Sequence, residues 1–142
     1  MAELTIDDDA CEGGRPFYDD NGNLESWAGS PGFLVVDLVE PKPGAAEEAL
    51  RAAAERWMRV DDRGYEFRDW DEYDAFDGDP LSPSWVSDPT YGFGGIYLYS
   101  DTSGERTVVM TEKLLAILAE ELSARDVGGR IAQQPDQSAG SA

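Results

Sequence analysis

The run FLVVDLV at residues 33–39 is almost continuously apolar and β-branched and ends at Glu40, before Pro41 and Pro43. That pattern predicts a buried, central strand stopped by proline. After Gly44, Ala46, Leu50, Ala53, Trp57 and Val60 recur at steps of four and three, the spacing of one helical face. Glu47 and Glu48 fall in the first turn of this helix and Arg56 and Arg59 near its end, so charge and periodicity agree. Ile96 to Tyr99 alternate aliphatic and aromatic, Ser100 to Glu105 supply turn residues, and Thr107 to Met110 form a second β-branched run, which together predict a hairpin. Thr111 is placed to cap a second helix through Leu114, Leu115, Leu118 and Leu122, with Gly128 and Gly129 beyond its end. A short final strand follows at Arg130 to Gln133.

The order is strand, helix, strand, strand, helix, strand. It predicts an α+β domain of the ferredoxin-like split βαβ type, β-α-β-β-α-β, with residues 61–94 inserted between helix 1 and strand 2. The first and third strands should be central because they are the most apolar. In strict alternation Leu34, Val36 and Leu38 share one face of the first strand, and Phe33, Val35, Asp37 and Val39 the other. Two helices cover only one face of such a sheet. The other face therefore calls for the insertion or a second copy of the chain, a homodimer through the open sheet face. Residues 1–32 read as an acidic N-terminal arm with a hairpin turned at Asn21-Gly22, residues 33–134 as the single domain, and 135–142 as a disordered tail.

Composition then narrows the chemistry. Among 142 residues there are 30 acids, 11 bases and no histidine, for a net charge of −19. Lacking histidine, the chain is without the commonest general base and metal ligand, and Cys11 alone makes neither a disulfide nor a cysteine-rich metal site. A reducing, cytoplasmic setting fits this cysteine usage, and no signal peptide or membrane-length apolar run is visible. The negative surface disfavours direct nucleic-acid or membrane contact.

The charge is not spread evenly. Residues 1–32 carry −7 and 61–94 carry −8, against −1 for 33–60 and −3 for 95–142. The densest stretch interleaves carboxylates with rings, and Asp61, Asp62, Glu66, Asp69, Trp70, Asp71, Glu72, Tyr73, Asp74, Asp77 and Asp79 form the expected partner-binding set. Rings give rigid contact area and carboxylates pair with Arg or Lys, so the composition suits a basic protein groove and resembles a phosphate backbone in charge. The competing structural role for Phe67, Trp70, Tyr73 and Phe76 is to anchor the insertion on the open sheet face with the acids outward.

Other motifs carry less. Asp19, Asn21, Asn23 and Glu25 alternate like the start of a calcium loop, yet Leu24 stands where glycine is needed and Ser30 where the bidentate Glu belongs. GFGG at 92–95 precedes a strand and reads as a turn, not a phosphate loop. No catalytic residue, cofactor or metal is assigned. The expected function is a non-enzymatic acidic module that occupies a basic surface of a partner protein, such as a nucleic-acid-processing enzyme or a toxin. Bacterial immunity proteins and phage inhibitors share this chemical character. The alternatives are a small enzyme or ligand carrier on a dimeric sheet, its pocket lined by Trp57, Tyr97 and Tyr99, and a structural or assembly component.

Overall fold

A computed structural model describes residues 3–8, 10, 15–28, 32–60, 65–75, 85–86, 90–92, 94–101 and 107–133. Its elements in chain order are β1 (Leu4–Ile6), β2 (Arg15–Tyr18), β3 (Leu24–Ala28), β4 (Gly32–Val39), α1 (Ala45–Trp57), α2 (Trp70–Asp74), β5 (Trp85–Val86), β6 (Thr90–Gly92), β7 (Gly95–Asp101), α3 (Thr107–Ala124) and β8 (Gly128–Gln133). The main sheet is mixed, in the order β1-β8-β4-β7-β5, and β6 pairs with β7 beside β5. The chain is thus α+β, but the strand order departs from the split βαβ pattern.

The departure has a local cause. Thr107 to Met110, expected as the hairpin partner of β7, is the start of α3. The β7 edge that such a partner would need is taken by β6, through Tyr91 opposite Ile96, and by β5, through Val86 opposite Ser100. No glycine or proline separates 107 from 124, so helix propagates through the β-branched run, whose strand preference is context-dependent. Thr111 consequently lies within α3 rather than at its start. The expected edge positions change too. Strand β8 is internal, because β1 from the N-terminal arm pairs with it in parallel at Leu4 opposite Gly129 and Ile6 opposite Ile131.

Helix α1 buries the face that its spacing predicts, with Ala46, Leu50, Ala53 and Trp57 fully enclosed. Gly44, at φ 88°, turns the chain into α1, and the Glu40 carboxylate accepts the Ala46 N–H at 2.7 Å, satisfying one of the donors left open at a helix start. The far end of α3 closes with Asp126 at φ 55° and the Val127 N–H donating to the Leu122 carbonyl, the six-to-one bond of a Schellman ending. Gly128 and Gly129 lie beyond this ending, as expected, and open β8. Phe33, Val35, Ile96, Leu98 and Ile131 of the sheet meet Leu50, Trp57, Leu114, Ile117, Leu118 and Leu122 of the helices in one core.

Strict alternation fails within β4. Val36 opposes Arg130 and Val39 opposes Gly128, so Asp37 and Leu38 together face the single residue Gly129. Asp37 absorbs this bulge at φ 54°. The extra residue shifts the phase: Leu38 packs against the same core as Phe33 and Val35, and Val39 is left exposed. The grouping of Leu38 with Leu34 and Val36 is corrected accordingly.

The arm hairpin forms as expected between β2 and β3, but its turn differs. Asp19 pairs with Asn23, the Gly22 N–H donates to the Asp19 carbonyl at 3.0 Å, and of the turn residues only Gly22 (φ 84°) has positive φ. That is a three-residue loop, a type I turn followed by a left-handed glycine, not a two-residue turn with Asn21 left-handed. The GFGG segment is a hairpin turn, with Gly92 opposite Gly95.

Candidate functional site

Of the eleven expected partner-binding residues, Asp61, Asp62, Asp77 and Asp79 lie outside the described residues, as do Phe76, Cys11 and the 135–142 tail. The other seven fall in one continuous segment, 65–75, and the structure gives them unequal tasks.

The segment is fastened to the end of α1. Glu66 bridges Val60 as an antiparallel partner, the Phe67 N–H donates to the Arg59 carbonyl at 2.9 Å, and Arg59 Nε donates to the Phe67 carbonyl at 3.3 Å. Phe67 is buried and meets Tyr65 and Tyr73 edge-on, with centroids 4.9 and 5.3 Å apart. Tyr73 in turn meets Trp70 at 5.2 Å, and the Arg59 guanidinium lies 5.8 Å from the Trp70 ring centre. Of the four expected anchors, Phe67 and Trp70 reach outside the segment, to Arg59, and Tyr73 packs between them. The segment is tied to the helix layer and not to the open sheet face, because Arg56 on α1 and Arg59 just beyond its end meet it.

Arg56 is the centre of that attachment. It grips Glu66 through Nε and Nη2 at 2.7 and 2.8 Å, Glu121 of α3 at 2.8 Å and Glu120 at 3.1 Å. Lys113 adds 3.6 Å to Glu66, and Arg125 adds 2.7 Å to Glu121. Hydrogen bonding from Arg56 holds the Glu66 carboxyl below its ordinary range. Burial pushes Glu121 up, but bonds from Arg125 and Arg56 outweigh it and leave that carboxyl low as well. The same contacts raise the pKa of Arg56. Glu66 is therefore an internal tie between the segment and both helices.

Asp69 and Glu72 also serve the segment itself. Asp69 caps α2 by accepting the Glu72 N–H at 2.8 Å. The Glu72 carboxylate accepts the Tyr65 hydroxyl at 3.0 Å and the Arg68 N–H at 3.4 Å. What remains outward is Trp70, 42% exposed, flanked by the exposed Asp69, Asp71 and Asp74.

Reading from sequence missed α2, although the Asp69-x-x-Glu72 spacing is a helix-start signal. Arg56 and Arg59 are legible there as helix-end charge, and Arg59 also as the i,i+4 partner of Glu55, which it meets at 3.5 Å. The 65–75 segment places four carboxylates four or fewer residues from Arg68 and rings at 65, 67, 70 and 73, and two cations at the end of α1 are the natural complement.

The expected pocket of Trp57, Tyr97 and Tyr99 is not assembled. Ile96 and Leu98 are the buried residues of β7 that face the helices, so the alternating Tyr97 and Tyr99 lie on the opposite face, with the sheet between them and Trp57. Among the described residues no three metal-ligating side chains converge, and the Asp19 carboxylate of the calcium-like string instead accepts the N–H groups of Asn21 and Asn23, both at 2.9 Å. No helix of the described residues is long and apolar enough to cross a membrane. No protein-family model matches the chain, and no curated protein or solved structure shows significant similarity to it.

Proposed function

We propose that this chain is a binding module that occupies a basic surface of a partner protein and acts by blocking it, in a cytoplasmic setting. One observation carries the reading: Trp70 stands 42% exposed among Asp69, Asp71 and Asp74, on a short helix fastened by Phe67 and Arg56. Fixed rings with flanking charge make strong contact centres, because little side-chain freedom is lost on binding and the charges speed encounter. Asp71 and Asp74 have no structural task among the described hydrogen bonds, unlike Asp69 and Glu72, so they are the acids to alter.

Immobilised protein exposed to host extract at low salt should retain a basic protein that elutes at high salt, since exposed ion pairs are screened over about 8 Å at physiological ionic strength. Retention of that protein should fall with Trp70→Ala and with the double change Asp71→Asn and Asp74→Asn. Equal retention by all three proteins overturns the assignment of this surface. A nucleic-acid enzyme or toxin eluting at high salt would place the module among inhibitors. Self-association in light scattering, with no retained partner, would favour the assembly reading.

A further inference from the structure

We propose that Asn21 is a latent deamidation site, kept closed by the Asp19 carboxylate and released when the β2–β3 turn opens. The chain has two asparagines, and Asn21 alone is followed by glycine, the neighbour that least hinders attack on the asparagine side chain. In that reaction the deprotonated Gly22 nitrogen forms a bond to Asn21 Cγ, the Cγ–N bond of the amide breaks, and ammonia leaves. Water then opens the cyclic imide at either carbonyl, giving aspartate or isoaspartate.

Three features of the turn oppose the first step. The Gly22 N–H is engaged by the Asp19 carbonyl at 3.0 Å, which withholds the attacking nitrogen. Asn21 occupies the third position of a type I turn, where ψ lies near 0°, and this holds the Gly22 nitrogen rotated away from the asparagine Cβ that must eclipse it in the ring. The Asp19 carboxylate, accepting the N–H groups of both Asn21 and Asn23 at 2.9 Å, fixes that geometry. Asn21 itself is exposed, so water reaches it freely. Reaction is thus governed by the geometry of the turn and not by access. Conversion adds a carboxylate to an arm already at −7, and isoaspartate lengthens the backbone within the loop, which the pairing of Asp19 with Asn23 does not accommodate.

The test is peptide mapping by mass spectrometry of the full chain held at mildly alkaline pH and 37 °C, in buffer and in urea. Conversion at Asn21 in buffer should be slower than in urea by about tenfold or more, the effect of two modest hydrogen bonds. Asp19→Ala should bring the buffer rate close to the urea rate, while Asp19→Asn, which keeps an accepting oxygen, should stay near the wild type. If Asp19→Ala unfolds the hairpin, the comparison of wild type with Asp19→Asn and with wild type in graded urea still decides. Equal wild-type rates in buffer and urea, or an Asp19→Ala protein as slow as the wild type, overturn the proposal.

Discussion

Arg56 meets Glu66 side-on, through two near-parallel hydrogen bonds of 2.7 and 2.8 Å, and with its remaining nitrogen reaches Glu121 on the other helix. One guanidinium therefore joins α1, α3 and the 65–75 segment. Removing it leaves two carboxylates half-buried without it. Arg56→Met should lower stability by about 2–4 kcal/mol, and Arg56→Lys, which keeps charge but loses the planar fork, by roughly half as much. Urea unfolding of the two variants gives the comparison, and equal losses would show that charge alone matters there.

Acidity should loosen the same joint. Glu66 and Glu121 are held below their ordinary range in the fold, so as pH falls the unfolded chain takes up protons first, from about pH 4.3, and the stability present above that value is lost on the way down through the folded pKa values. Relief of the −19 self-repulsion acts in the opposite sense on the whole molecule, so a difference measurement is needed. The stability gap between wild type and Glu66→Gln should be constant near neutrality and shrink below about pH 4. A gap that widens with acid would reverse the assignment.

Gly95 lets β7 lie against β4. A Cβ there would run into the Val35 carbonyl oxygen, with the Val36 side chain 3.3 Å away. Gly95→Ala should destabilise by about 3 kcal/mol. At Gly44 nothing lies within 4 Å, and the burden is only its φ of 88°, so Gly44→Ala should lose about 1 kcal/mol. Thermal unfolding of the pair separates crowding from backbone strain.

Trp57 is fully buried, and its indole N–H finds no acceptor among the described residues. Such a donor weakens the core that its ring fills. Trp57→Phe removes the donor with modest loss of volume and should stay within about 1 kcal/mol of the wild type, whereas Trp57→Ala should lose about 3–5 kcal/mol. A phenylalanine variant as unstable as the alanine one would mean that the N–H has a partner in solution.

What could be read in the sequence was set by periodicity. Ala46, Leu50, Ala53, Trp57 and Val60 are buried as their spacing requires, and β4, the core of α3 and β8 lie where pattern puts them, while the β2–β3 turn falls at the expected place but as a three-residue loop. The failures are tertiary. Thr107 to Met110 has strand-like composition, but the neighbouring edge is occupied, and β1, with three residues, is too short to announce itself. The bulge at Asp37 leaves no trace in alternation until the partner Gly129 is known to lie opposite. Within the candidate site the composition of 65–75 was visible. Its division into an inward tie, Glu66, and outward contacts, Trp70, Asp71 and Asp74, depends on Arg56 arriving from a helix ten residues away.

Strand β8, made of residues 128–133, is wedged between β1 and β4, both of which lie far before it in the chain. Until it arrives β1 has no strand partner among the described residues and β4 keeps a bare edge, both of them sticky toward other chains. Closure of this sheet accordingly waits for residues 128–133, and truncation before residue 128 should yield an aggregating fragment and not a smaller folded domain.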